Sequence, residues 1–432
     1  MASAPISPMK ILVYGINYAP ELVGIGKYTQ EMCEWLAARG HQVKVVTAYP
    51  YYPYWKIDPA YKTATYSREQ INAVQVRRCP LFVPAKPTGR GRLIHNLSFA
   101  TSSMPAVCAA ALRFRPDILL SIAPTLFIAP AALTAAAISG ARSWLHIQDF
   151  EIDTAFELGV LSGQTLQTLS ERIERAVLKR FDRISTISSK MVARLTQKKV
   201  SQAPVIEFRN WVDTSVISPR DRLTPLRQEL GISADSIVAL YSGSMGLKQG
   251  LDTLVEAARL IEQQAPHITM VLCGNGAMRN QLIEKSTGLK NVRFLELQPA
   301  GRVSEMLSTA DIHLLPQRAE VADLVLPSKL SAMLASGRPV IAMAEPETQL
   351  AFEVKDAGLI IPAGDPPRLV AALMKLAGDP SLRDTMGSAA RSAAQSRWDK
   401  NSILRQLEEQ LASVIAARSP NASGALQPDR PR

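Results

Sequence analysis

The stretch IVALYSGSMGLKQGLDTLVEAARL, residues 237–260, sets an apolar run of strand length directly before small residues and then a helix-length segment. ITMVLCGNGAMRNQL (268–282) and DIHLLPQRAEVADLVLPSKLSAMLASGRPVIA (311–342) repeat the order. Apolar runs this short, without alternation, fit strands of a parallel sheet buried on both faces. Each runs into a polar turn that opens a helix, where the first N–H groups have no intrahelical partner and the dipole is positive. Such turns hold phosphate oxygens, and several of them along the carboxyl edge of one sheet predict a nucleotide site. Ser242 and Gly243, Gly274, and Ser328 with Lys329 are the candidate residues at these turns.

Outward from that region the alternation continues. Upstream, ILVYG (11–15) is followed by a helix from about Gly26 to Arg39, with Tyr28, Met32, Trp35 and Leu36 at helical spacing and Gly40 at the C-cap position. VKVVTA (43–48), VQVRRC (74–79), DILLSI (117–122), SWLHIQ (143–148) and RISTIS (183–188) extend a doubly wound series. A second series begins after about Ala203 with PVIEFRNWVD. The fold class is therefore α/β, with two Rossmann-like doubly wound domains facing each other across a ligand cleft. The expected division is 1–202, 203–395, a C-terminal helix over 396–417 packing back toward the first domain, and a loose tail over 418–432. Gly24 and Gly26 open the first helix, where glycine lets backbone approach a ligand, or serves a simple turn.

With 432 residues and 47% of them hydrophobic, the chain can bury large cores. Its four cysteines are scattered without metal-ligand spacing, which fits a reduced, cytoplasmic protein. The N-terminal stretch lacks the pattern of a secretory signal. Ile118–Ile138 is long enough to span a bilayer, but Pro124 and Pro130 divide it into strand, loop and helix lengths. The net charge of +11 is concentrated at Arg77, Arg78, Lys86, Arg90 and Arg92, and again over 172–183. These clusters suit anionic lipid or a diphosphate-bearing substrate, or are solvated helix faces. No nucleic-acid-binding motif accompanies them, and nucleic acid is not an expected partner.

YAPELVGIGKYTQEMCEWLAARGHQVKVVT, HIQDFEID, RISTISSKM, RNWVD, YSGSMGLKQGLDTL, LCGNG, LPSKLSAMLASGRPVIA and AGLIIPAGDPPRLVAAL occur in this order. In that ordered set the chain resembles retaining glycosyltransferases of family 4, which have the GT-B fold, particularly those of colanic-acid and other exopolysaccharide biosynthesis. The resemblance implies transfer of a hexose or deoxyhexose from a UDP- or GDP-linked donor to a lipid-diphosphate-linked saccharide. It also implies work at the inner face of the cytoplasmic membrane, with peripheral contact to anionic lipid and neither metal nor cofactor. A sugar-nucleotide epimerase of the same architecture, or a catalytically silent subunit that binds nucleotide sugar, are the alternatives.

On this resemblance Lys248, in the turn Gly246 to Gly250, is the first candidate for the donor diphosphate, with a solvated loop lysine as the alternative. The family's usual arginine after the glycine is replaced by Ser244, so Lys329 or the backbone must supply the second charge. Ser328 is a candidate anion ligand, a helix cap, or both. The family's paired glutamates are absent: Ala332 and Leu324 occupy their positions, which leaves Asp323 as a candidate for donor-sugar hydroxyls. His146 and Asp149, after the strand SWLHIQ, are expected to contact the donor sugar and offset ring charge, a packed histidine being the alternative. Asp149, Glu151 and Asp153 form no DxD and favour sugar or acceptor contacts over a metal. Asn210 is expected to order the interdomain loop.

Overall fold

The computed structural model describes residues 6–21, 24–61, 65–85, 88–150, 164–198, 205–318 and 326–417, with the side chains of 164–167 and 248 outside that description. The first sheet holds β1 (Lys10–Gly15), β2 (Gln42–Ala48), β3 (Ser67–Ile71), β4 (Val74–Cys79), β5 (Ile118–Ala123), β6 (Arg142–Ile147), β7 (Arg183–Thr186) and β8 (Val205–Glu207). Their order is β3-β4-β2-β1-β5-β6-β7-β8, and β3 runs antiparallel to β4 while the other pairs are parallel. The second sheet holds β9 (Ile237–Ser242), β10 (Ile268–Cys273), β11 (Val292–Leu295), β12 (Ile312–Pro316), β13 (Val340–Met343) and β14 (Gly358–Ile361), in the order β11-β10-β9-β12-β13-β14. All its pairs are parallel.

Strands β5, β9 and β10 are buried along their whole length, as the unbroken apolar runs require when helices cover both faces. In each sheet the chain winds one way and then returns to the middle to wind the other. The switch lies between β1 and β5 in the first sheet and between β9 and β12 in the second. Ligand crevices form beyond the carboxyl ends of strands at such switch points.

The apolar stretch 118–138 is β5, a 3-10 turn over Leu126–Ile128 and the helix Ala129–Ser139, with Pro130 in the first turn of that helix. Two expectations need correction. Val205–Glu207, expected to begin the second series, is the edge strand of the first sheet, paired with β7 from Ile184↔Val205 to Thr186↔Glu207. The first sheet therefore extends past residue 202. The C-terminal helix is also not one piece from 396, because helix Pro380–Arg397 ends at Trp398 and helix Lys400–Ala416 starts afresh, capped by the Asp399 carboxylate on the Ser402 N–H. Ile403, Leu404, Leu407, Leu411 and Val414 of that last helix pack with Met9, Ile11, Val13 and Leu36, so the end of the chain closes the core of the first domain.

Candidate functional site

The β9 turn is built around close backbone approach. Gly243 has φ +140° and Gly274 φ +151°; a Cβ on Gly274 would meet the Gly243 carbonyl oxygen at 1.9 Å. The Gly243 N–H donates to the Cys273 carbonyl (2.9 Å) and the Met245 N–H to that of Asn275 (2.8 Å), locking the turns after β9 and β10 together. Above them stands Lys329, the first residue of helix Lys329–Ala335. A Cβ on Gly243 would lie 3.1 Å from its Cδ and 3.3 Å from its Nζ. Its ammonium sits 4.0 Å from the centre of the Tyr241 ring and donates to the Tyr241 hydroxyl at 2.9 Å. That hydroxyl spends its own proton on the Ser244 carbonyl (2.5 Å).

Among the described residues no carboxylate pairs with Lys329, and burial alone drives its pKa down to about 7. A cation over a glycine turn, with no carboxylate partner among the described residues, has the chemistry to hold an anion. Ser328 makes no side-chain capping bond, so the simple cap reading is not what is observed; its carbonyl instead accepts from the Tyr28 hydroxyl at 3.3 Å. Lys248 lies in the 3-10 turn Leu247–Gln249, but its side chain falls outside the described residues, as do Glu151, Asp153 and Asp323 entirely.

The first domain supplies the facing wall. Gly24 has φ +68° and precedes helix Ile25–Ala38, and a Cβ on it would touch the Tyr52 ring at 3.5 Å. Beneath Gly26 lies Glu21: a Cβ on the glycine would meet its Oε2 at 2.5 Å. Glu21 accepts from the Asn17 amide (3.0 Å) and from the N–H groups of Tyr51 and Tyr52 (3.3 and 3.2 Å). Burial lifts its carboxyl to about 7, against those hydrogen bonds and the charge of Arg78. Tyr52 reaches across to Ser244 of the second domain and lies within electrostatic range of Asp149 at the end of β6. The Gly24–Gly26 turn, Tyr52 and Asp149 thus confront Ser244 and, through it, the Gly243 turn and Lys329.

His146 lies packed inside the first domain. It is 1% exposed, with Nδ1 2.9 Å from the Ser185 hydroxyl and Nε2 3.0 Å from the Gln148 amide, and its ring lies 4.8 Å from that of Phe208. Burial lowers its pKa to about 3, so the ring is neutral and engaged on both nitrogens. Both faces of this strand are covered, Ser143–Ile147 being buried without a break. His146 supports Gln148, which exchanges hydrogen bonds of 3.0 and 3.2 Å with Asn210 and so anchors the interdomain segment.

Four residues were missed at the sequence level: Glu21, Tyr52, Tyr241 and Arg318. The aromatic run YYPYW just past β2 signals a built loop at a strand's carboxyl end. Tyr241 looks like any strand residue. Arg318, exposed just after β12, lies with its Cγ 3.4 Å from where a Gly250 Cβ would be, beside the 246–250 turn.

Two family models match the chain: a glycosyl transferase 4-like domain over residues 23–211 and glycosyl transferases group 1 over residues 224–393. The putative colanic acid biosynthesis glycosyl transferase WcaI of Escherichia coli (strain K12) is 40% identical over 92% of this chain and 98% of its own length. The amylovoran biosynthesis glycosyltransferase AmsK of Erwinia amylovora is 27% identical over 38% of this chain and 41% of its own. Among solved structures, sucrose-phosphate synthase from Thermosynechococcus elongatus superposes with a TM-score of 0.74 at 18% identity, over 95% of this chain and all of that one. Anabaena Alr3699/HepE in complex with UDP-glucose gives a TM-score of 0.67 at 19% identity, over 94% of this chain and all of its own. At such identities these two structures bear on the fold alone.

Proposed function

The chain belongs to the glycosyltransferases of family 4, with the GT-B fold, and from that premise we propose that it builds a colanic-acid-like exopolysaccharide by extending a lipid-diphosphate-linked oligosaccharide. The donor is a UDP- or GDP-linked hexose, or a deoxyhexose such as fucose, and the anomeric configuration is retained. The observation that carries this reading is Lys329: a half-buried ammonium with no carboxylate partner among the described residues, aimed at the Gly243 turn.

When the sugar–phosphate bond breaks, negative charge collects on the departing diphosphate and positive charge on the ring. Lys329 and the exposed Arg318 answer the first. Asp149, on the opposite wall, answers the second. The acceptor hydroxyl attacks from the face the phosphate leaves, and the phosphate oxygen takes its proton, so the cleft needs neither a dedicated base nor a metal. The same reading places the protein in the cytoplasm, at the inner membrane face.

Purified protein incubated with UDP- and GDP-sugars is expected to release nucleoside diphosphate when a lipid-diphosphate-linked saccharide is present, with chelator making no difference. Inverted product configuration would refute the mechanism. Interconversion of nucleotide sugars without acceptor would make the protein an epimerase.

A further inference from the structure

Next to Tyr52 along the chain, the first domain carries an aromatic ledge that the donor chemistry does not use. Tyr54 is 66% exposed, and Trp55, half-buried, sits in the left-handed region at φ +52°. Trp55 is backed by Tyr51, at 5.5 Å between ring centres, and by His95, at 5.3 Å. His95 donates its Nδ1 proton to the Phe82 carbonyl (2.6 Å), and burial holds its pKa below the usual imidazole value, so the backing is neutral. The charge on this ledge comes from Arg92, near the start of helix Gly89–Phe114, whose guanidinium lies 5.3 Å from the Trp55 ring centre and within electrostatic range of Tyr52. Among the described residues Arg92 makes no ion pair.

We propose that Tyr54, Trp55 and Arg92 form the acceptor subsite, in which a pyranose ring stacks on the aromatic faces while Arg92 holds the diphosphate joining the acceptor saccharide to its lipid. The subsite rests on the transferase reading above. An indole face suits the C–H face of a sugar, and a planar guanidinium with unused donors suits a diphosphate. The place fits as well, since Tyr52 ties the ledge to the cleft where the donor sugar would lie. The helix that carries Arg92 contains no Asp or Glu in its 26 residues and leads away with Leu93, Ile94 and Leu97 exposed, an apolar course for the lipid.

Calorimetry on the full chain saturated with UDP, using farnesyl-diphosphate-linked glucose and octyl glucoside as probes, separates the two parts of the subsite. Arg92→Ala is expected to weaken the diphosphate probe about tenfold or more and leave octyl glucoside within about twofold. Trp55→Ala is expected to weaken both probes, and Trp55→Phe, which keeps a ring, to restore most of the loss. UDP affinity is expected to hold within about twofold in every variant. The proposal is overturned if Arg92→Ala and Trp55→Ala both bind the diphosphate probe like the wild type, or if wild type binds neither probe. It is equally overturned if UDP affinity falls in step with probe affinity, which would move Arg92 to the donor. An absence of any sugar transfer by wild type would refute the activity while leaving these binding results to stand or fall by themselves.

Discussion

A half-buried lysine with no carboxylate partner among the described residues is costly to the fold, which is a reason to look for the anion that completes it. Lys329→Met removes the charge and keeps the stem that packs on Tyr241. Its melting temperature is expected to match or exceed wild type, while UDP or GDP affinity drops about 10- to 100-fold, the worth of a charge-assisted contact. Unchanged nucleotide affinity in isothermal titration would remove Lys329 from the donor site. The same residue fixes a pH dependence. Its pKa in the free protein is about 7, well below that of an unfolded lysine. Between those values the unfolded chain holds the proton and the folded chain has lost it, so this residue makes stability rise with pH above about 7. Bound diphosphate restores the ammonium, so affinity is expected to fall over the same range, with proton uptake on binding. Calorimetry at pH 8 in two buffers of different ionisation enthalpy measures that uptake, and identical heats would contradict it. His146 gives the contrasting case: it is neutral, bonded at both nitrogens, and packed beside Gln148 and Asn210.

At the scale of elements, the strand-to-turn junctions were the legible part. Unbroken apolar runs ending in Gly243 and Gly274 are a local signal, and both glycines turn out to need left-handed backbone and each other's proximity. Gly274→Ala is therefore expected to cost about 2–4 kcal/mol in urea unfolding and to weaken nucleotide binding, because the methyl group would overlap the Gly243 carbonyl. A loss below about 0.5 kcal/mol would show that the two turns can part freely. What the sequence did not disclose depends on partners far along the chain. Val205–Glu207 has the composition of a strand that could head the second sheet, but it pairs with β7, a choice made by tertiary packing. His146 stands on a strand covered on both faces, and its partners Ser185 and Phe208 lie far along the chain from SWLHIQ. Glu21 and Tyr52 meet under the Gly24–Gly26 turn only because β1 and β2 are neighbours, and Lys329 meets Tyr241 across 88 positions.

Across the whole molecule, the two sheets aim their carboxyl edges at one cleft, and several ties bridge it or its hinge. Trp211 donates to Glu31 at 2.7 Å, Ser189 to Gln349 at 2.7 Å, and Arg209 pairs with Glu353 at 2.8 Å. Helix Lys400–Ala416 fastens the end of the chain to the first domain, where Glu408 receives Arg39 at 2.8 Å and His41 at 2.8 Å. The net charge of +11 and the acid-free helix Gly89–Phe114, with Leu93, Ile94, Leu97, Met104 and Leu112 exposed, give the first domain a face suited to an anionic bilayer. That helix is long and apolar enough to cross a membrane, yet His95, Phe99, Ser103, Val107 and Ala111 are buried on its inner side, which fits a helix lying on the surface rather than spanning it. In flotation assays the full chain is expected to rise with vesicles containing phosphatidylglycerol and to stay down with phosphatidylcholine alone. Salt at about 0.5 M shortens the screening length to a few ångströms and is expected to release most of it. Leu93→Glu together with Leu97→Glu is expected to abolish flotation at low salt while leaving UDP affinity intact, because both side chains are exposed on the first domain. Flotation that ignores both the headgroup charge and these substitutions would show that the membrane, if bound, is held by another face.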